Sequence, residues 1–295
     1  MKGIVTIIKI FAAFGVLGIL GALIIVLKNF QKDFAPPSEI HQTQLDNIVE
    51  QSNKNTFKRG EREFNRAVEL IAMERLSDAR EKLLFIQNLH ADSEFGPEAR
   101  RILGEINLDE VLSVENMENK LVHVVKSGDT PLEIANKYNT TLDCLMFLNG
   151  LVDLNLHPGD ELIVMALDFK LVIDLQNQRV ELYHRDLDKK AHVFSKEYPI
   201  LKTDLPKLGK RPIHTEIEQK IAEVNGRSYS PSKLNYRNGA KVLGMKISKR
   251  MTQMRPVPAI DEVDPGGGIF LSTPAMEELA MLIRSGNEVE VKPAQ

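Results

Sequence analysis

The chain holds a single thiol, Cys144, so thiol-based acyl transfer or Cys-ligated metal would have to run through that one side chain. Its neighbours argue against both. Leu142, Leu145 and Met146 recur around it at helical spacing, the pattern of a small apolar residue turned into a core. Ser272 follows the Gly266-Gly267-Gly268 run. With no His or paired acid near it, it is read as the N-cap of the helix that follows. The glycine run is no phosphate loop: no Lys-Ser/Thr follows it and no helix opens directly at it. Asp261, Glu262 and Asp264 form an acidic cluster, read with Arg250 to Arg255 as solvated loop rather than as cation ligands. His184 and His192 stand on a predicted strand pair and are read as surface or internally satisfied side chains. No catalytic residue, metal ligand or cofactor is assigned.

The chain of 295 residues is long enough for two or three small domains. A net charge of −3 with 27% charged residues supplies no basic field for nucleic acid. One Cys excludes a disulfide framework within the chain, and the absence of Trp with only 5 Tyr leaves no broad aromatic platform for sugars.

Ile10 to Leu27 is an uncharged run of 18 residues, 12 of them Leu, Ile, Val or Phe. As a helix it spans about 27 Å, close to the hydrocarbon thickness of a bilayer. Each of those side chains gains roughly 0.3–0.6 kcal/mol near the bilayer centre, a sum that exceeds the cost of Lys9 at the edge. A cleaved leader would have a shorter apolar stretch and a small-x-small site, and Lys28-Asn29-Phe30-Gln31-Lys32 offers none. The run is predicted to be a retained single-pass anchor after a short cytoplasmic tail (1–9). Lysines on both sides leave its orientation undecided by charge.

After a polar linker (28–60) broken at Pro36-Pro37, helical periodicity begins. Phe64, Ala67, Val68 and Ile71 share a face; a turn is expected at Leu76-Ser77; Ala79, Leu83, Ile86 and Leu89 follow; Gly96-Pro97 opens a third helix. Residues 61–112 resemble one to one and a half tetratricopeptide-like units, fewer than an independently stable stack needs. The segment is expected to be a short hairpin that either lifts the next module off the membrane or is completed by a partner.

From Val122 the pattern becomes strand, helix, helix, strand within about forty residues. Val122, Val124 and Val125 stop at Ser127-Gly128-Asp129-Thr130; Leu132, Ile134, Ala135 and Tyr138 recur helically behind Pro131. A second helix ends at Asn149-Gly150, and Pro158-Gly159 precedes Leu162-Ile163-Val164. The Gly-Asp-Thr, the Asn-Gly at the end of the second helix and the Pro-Gly before the last strand together closely resemble a LysM domain (121–166). The resemblance implies binding of N-acetylglucosamine polymers, above all peptidoglycan. The implied groove is formed by Gly128, Asp129, Thr130, Pro131, Asn149, Leu151, Leu156 and His157, with backbone groups pairing the acetamide and apolar side chains facing the sugar.

Beyond Ala166 strands dominate. Phe169 to Leu175 and Val180 to Tyr183 read as a hairpin and Ala191 to Ile200 as a third strand of an antiparallel sheet; Lys241 to Met245, a helix Pro274–Ile283 and a last strand, Glu288 to Val291, follow. Residues 168–292 are similar to the YkuD-type L,D-transpeptidase domain. The likeness rests on Leu171-Val172-Ile173-Asp174 with Val180, Leu182 and Tyr183, and on Ser272, Met276, Glu278-Leu279, Leu282-Ile283, Gly286, Val289 and Val291. The family's S-H-G-C-x-R motif is absent. In register, Pro265, Gly266, Gly267, Gly268, Ile269 and Phe270 occupy its places, so Gly268 stands where the nucleophilic Cys would be. Lys202-Thr203-Asp204-Leu205-Pro206 only echoes a second family turn.

The expectation is an α+β multidomain envelope protein: membrane helix, helical hairpin, βααβ LysM module and a mainly-β L,D-transpeptidase-like domain without its nucleophile. It would sit in the cytoplasmic membrane with its bulk extracytoplasmic (periplasmic), hold peptidoglycan, and scaffold or regulate cell-wall enzymes rather than catalyse. The alternatives are an active wall enzyme using unrecognised residues and an adaptor acting through the helical segment.

Overall fold

The computed structural model describes residues 58–258 and 266–294. The predicted span at 10–27, its tail and most of its linker, and Asp261, Glu262 and Asp264 lie outside the described residues. Among the described residues no helix is long and apolar enough to cross a membrane.

Three helices come first, α1 (Glu61–Ala72), α2 (Leu76–Leu89) and α3 (Gly96–Leu112). Ala67, Leu83, Ile86, Ala99 and Leu103 form their small shared core. The turn expected at Leu76-Ser77 falls earlier: Glu74 takes a left-handed conformation (φ 59°) and Leu76 already begins α2. Glu carries none of the usual sequence marks of that geometry, which Gly or Asn would have announced.

The helices do not stand apart as a stalk. α3 lies on the C-terminal strand β5 (Ala191–Pro199), so closely that a Cβ on Gly104 would sit 3.2 Å from Lys196 Cα. Arg100 crosses this contact, donating from Nε to Glu197 (2.6 Å) and from Nη2 to Glu181 (2.7 Å), with its guanidinium 4.1 Å from the Phe194 ring centre. Buried Asn107 accepts from Arg80 and donates to the Phe194 carbonyl. The face expected to await an external partner is covered by this chain's own sheet.

Next come β1 (Lys120–Val124), α4 (Pro131–Lys137), α5 (Leu142–Leu148) and β2 (Glu161–Met165). β1 and β2 pair antiparallel, Lys120 opposite Met165 and Val124 opposite Glu161. Val125, Ile134, Ala135, Leu145, Leu162 and Val164 are the core, with Tyr138, Leu151 and Leu156 against it.

The C-terminal domain is a ten-stranded sheet covered by α6 (Thr273–Leu282). Its strands are β3 (Phe169–Asp174), β4 (Arg179–Asp186), β5, β6 (Lys202–Asp204), β7 (Ile213–Val224), β8 (Arg227–Tyr229), β9 (Ala240–Ile247), β10 (Arg250–Pro256), β11 (Gly268–Leu271) and β12 (Glu288–Lys292). The order is β5-β4-β3-β12-β7-β9-β10-β11-β6, with β8 on β7. The sheet is mixed rather than purely antiparallel, because β12 runs parallel to β3 and β11 parallel to β10. Arg250–Arg255 is strand, not solvated loop; Thr252, Met254 and Arg255 are buried, and the Arg255 guanidinium reaches Glu223 and Gln253.

The core extends beyond the sheet. Cys144 and Leu148 of α5 pack with Leu167, Leu243, Met276 and Leu279, so one hydrophobic cluster crosses from the βααβ module into the C-terminal domain.

Candidate functional site

The loop between β1 and α4 is built by three consecutive residues. Gly128 adopts φ 93°, a conformation only glycine takes without strain, and a side chain there would meet open solvent. Asp129 then closes the turn, its carboxylate accepting from the Lys126 amide at 2.9 Å and meeting His123 Nε2 at 2.9 Å. The Lys126 N–H, and after it His123, hold the Asp129 carboxyl below its ordinary range. His123 is 4% exposed and contacts the Tyr138 hydroxyl through Nδ1 at 3.0 Å. Because a carboxylate only accepts, the neutral ring carries its hydrogen on Nε2 and accepts from Tyr138.

Thr130 is the N-cap of α4 in a reciprocal capping box. Its Oγ1 accepts from the Glu133 amide, while Glu133 Oε2 receives the Thr130 N–H at 3.1 Å and O–H at 2.8 Å. Pro131 fills the first helical turn, where no amide hydrogen is needed.

Across the module, Asn149 follows α5 and turns its side chain inward. Nδ2 donates to the carbonyls of Leu145 and Ile163, each at 2.8 Å, and Oδ1 accepts from the Ile163 amide at 2.7 Å. Leu151 and Leu156 pack on the module core, and the His157 side chain is 82% exposed. The two loops adjoin at Val125, whose amide donates to Asp160 and whose carbonyl accepts from Gly159.

Gly128, Asp129, Thr130 and Pro131 are thus contiguous, and the 157–160 turn adjoins them through Val125. The polar side chains of Asp129, Thr130 and Asn149 are all engaged inside the module. What the face offers a ligand is backbone amides and carbonyls, the exposed His157 and the flanks of Leu151 and Leu156. Gly150 and Leu151 also border an open groove of about 810 Å³ that reaches α6, lined by Phe147, Val152, Arg237 and Glu277. Sequence reasoning did not foresee the support from His123 and Tyr138; the readable sign is His six residues before Asp with Tyr at the end of the next helix.

In the C-terminal domain, a Cβ on Gly268 would sit 2.5 Å from the Gln253 carbonyl oxygen across the β10–β11 pair. Phe270 is wholly buried. Cys144, the only thiol, is buried as expected, and burial raises its pKa to about 11.

Over 42 residues the chain is 52% identical to the N-acetylmuramoyl-L-alanine amidase sle1 of Staphylococcus saprophyticus; that stretch is 14% of this chain and 13% of the amidase. Among solved structures it is similar to an L,D-transpeptidase from Stackebrandtia nassauensis, with TM-score 0.27 and 8% identity over 72% of this chain and 76% of the other. It is also similar to a fused Zn-dependent amidase/peptidase/peptidoglycan-binding domain-containing protein from Clostridium acetobutylicum, with TM-score 0.29 and 11% identity over 42% of this chain and 51% of that one. The chain therefore spans a small part of the amidase and about half of the clostridial protein. The LysM domain matches residues 123–164, the stretch that carries both loops and both short helices described above, and these residues are a LysM domain.

Proposed function

We propose that this protein is a peptidoglycan-binding protein of the bacterial envelope. Its LysM domain holds N-acetylglucosamine-containing glycan along the loops Gly128–Pro131 and Asn149–His157. The observation that carries the reading is the intact LysM stretch at 123–164, whose loops are fixed by internal side-chain bonds and leave backbone groups for a sugar acetamide. Residues 10–27 anchor the chain in the cytoplasmic membrane, with the LysM and C-terminal domains on the extracytoplasmic side. The domain at 168–292 has an L,D-transpeptidase-like scaffold and acts by holding or recruiting rather than by acyl transfer. Supporting this are the absence of a thiol after Cys144 and the lack of room for any side chain at Gly268.

The test is co-sedimentation of the detergent-solubilised full chain with insoluble peptidoglycan, with and without soluble N-acetylglucosamine oligomers. The expected result is pelleting that the oligomers compete away. A chain that stays in the supernatant at every peptidoglycan load would sink the reading.

A further inference from the structure

Between the LysM helices and the C-terminal sheet lies a second cavity, of about 390 Å³. Asn136, Asn139 and Thr140 line one side of it; Lys220 of β7, Pro231, Arg284 and Ser285 line the other. It is separate from the 128–131 loop and from the groove beside Gly150.

Its charge is one-sided. Among the described residues no Asp or Glu lines it, whereas two cations do. Lys220 is 8% exposed, and among the described residues its Nζ has no hydrogen bond or ion pair; the Tyr236 ring face lies at 5.9 Å, and Asp143 acts on it from beyond ion-pair distance. The Arg284 Nε is buried without a partner, and its Nη1 reaches Asn139 only at 3.5 Å. The Thr140 hydroxyl is buried with no partner better than the neighbouring Cys144 thiol, a weak acceptor. Buried donors without acceptors are costly, and buried unpaired charges more so. Three such groups, converging on one cavity from two modules, share a single remedy: an acceptor that carries negative charge.

We propose that this cavity binds a small oxyanion, a carboxylate or phosphate group, between Lys220 and Arg284, and that the bound anion clamps the LysM domain to the C-terminal sheet. An ammonium and a guanidinium make charge-assisted bonds to such oxygens, with the Thr140 hydroxyl as a third donor. The volume far exceeds the roughly 30 Å³ of a water molecule, so the anion has room for an attached organic group. Burial holds the Lys220 pKa down, to about 8, with Lys241 and Arg284 pushing the same way and Asp143 and Cys144 opposing. An anion in the cavity would restore the charged form. The interface already has fixed points in the Thr141 hydroxyl donating to the Met281 carbonyl and the Leu167 amide donating to Asn139. The anion would therefore tighten an existing joint rather than create one.

The test is hydrogen exchange on the full chain, titrated with inorganic phosphate and separately with N-acetylglycine, at ionic strength held constant with sodium chloride. The expected result is saturable slowing of exchange in residues 131–142 and 284–287. The anion that acts identifies a phosphate-bearing or a carboxylate-bearing ligand. Apparent affinity should fall at least tenfold in Lys220→Met and in Arg284→Gln. Lys220→Met removes a buried charge and is expected to fold, checked by its urea midpoint, and exposed Lys189→Met should leave the response unchanged. No response to either anion, or a response undiminished in both variants, overturns the proposal. Peptidoglycan co-sedimentation is a separate readout, so loss of one leaves the other standing.

Discussion

The Asn149 side chain pairs with the Ile163 backbone as a neighbouring strand would: it donates to the carbonyl at 2.8 Å and accepts from the amide at 2.7 Å. β2 has β1 on one edge, and Asn149 caps the other at one residue while its second N–H holds the Leu145 carbonyl at the end of α5. Asn is the side chain that carries donor and acceptor in the geometry of a peptide group. It is therefore a structural clip in the LysM domain, and any sugar contact at this position is made by the backbone.

Asn149→Ala removes all three bonds and leaves two carbonyls and one amide of a half-buried site to water. The expected cost is about 1–3 kcal/mol, read as a lower urea midpoint, with peptidoglycan pelleting lost only where the domain unfolds. Asn149→Asp should be no better, because it cannot donate. An alanine variant as stable as the wild type would show that the clip contributes nothing.

The LysM domain was legible because its determinants are local. Gly-Asp-Thr, the capping Thr130 and Thr141, Asn149-Gly150 and Pro158-Gly159 each fix the chain within a few residues. The whole of β7 was missed for an equally physical reason. Its apolar residues Ile213, Ile217 and Ile221 are four apart, which mimics a helix, and a register shift between Ile217 and Gln219 breaks the alternation that marks a strand. β10 was missed because Arg250 and Arg255 look like surface charge, although Arg255 is buried beside Glu223. The docking of α3 and the cavity at Lys220 depend on residues about 80 to 145 positions apart, which no periodicity reveals.

Arg100 joins the helices to the sheet. Glu181 is almost fully buried and Glu197 largely so, and among the described residues Arg179 is their remaining cation, so losing Arg100 leaves two carboxylates sharing one cation. Breaking a fully buried pair costs about 3–5 kcal/mol; with Arg179 still present, Arg100→Leu should cost about 2–3 kcal/mol. The check is chemical denaturation combined with a double-mutant cycle to Glu197→Gln. A coupling energy near zero would mean that the Arg100–Glu197 pair adds nothing to the α3–β5 contact, which Asn107 and the Glu105–Lys196 pair also bridge.

Gly268 sits where no side chain fits. Its Cβ would lie 2.5 Å from the Gln253 carbonyl oxygen, a backbone atom in the paired strand, so the β10–β11 ladder must shift to admit even Ala. Gly268→Ala is expected to destabilise the domain by about 1–3 kcal/mol. Gly268→Cys should do at least as much without creating an acylating site. Intact mass after exposure to a carbapenem should be unchanged for the wild type, whose Cys144 is buried with its pKa raised to about 11 and so holds little thiolate at neutral pH. A covalent adduct on the wild-type chain would overturn the non-catalytic reading of this domain.

Lys220 gives stability a pH dependence of definite sign. Burial, chiefly, lowers its pKa from 10.5 to about 8, so between those values the unfolded chain binds a proton that the folded chain does not. Stability attributable to this group therefore rises as pH increases from about 8 toward 10.5, and below about 8 the fold bears the full cost of burying the charge. At 1.36 kcal/mol per pKa unit that cost is on the order of 3 kcal/mol. Lys220→Met should raise the urea midpoint at pH 7 and flatten the alkaline rise, the two proteins converging as pH approaches 10.5. Added phosphate should stabilise the wild type more than the Met variant, in which Arg284 alone remains to meet the anion. If the wild type lost stability between pH 8 and 10 while the Met variant did not, Lys220 would have to be paired in the fold, and the cavity would already be neutral.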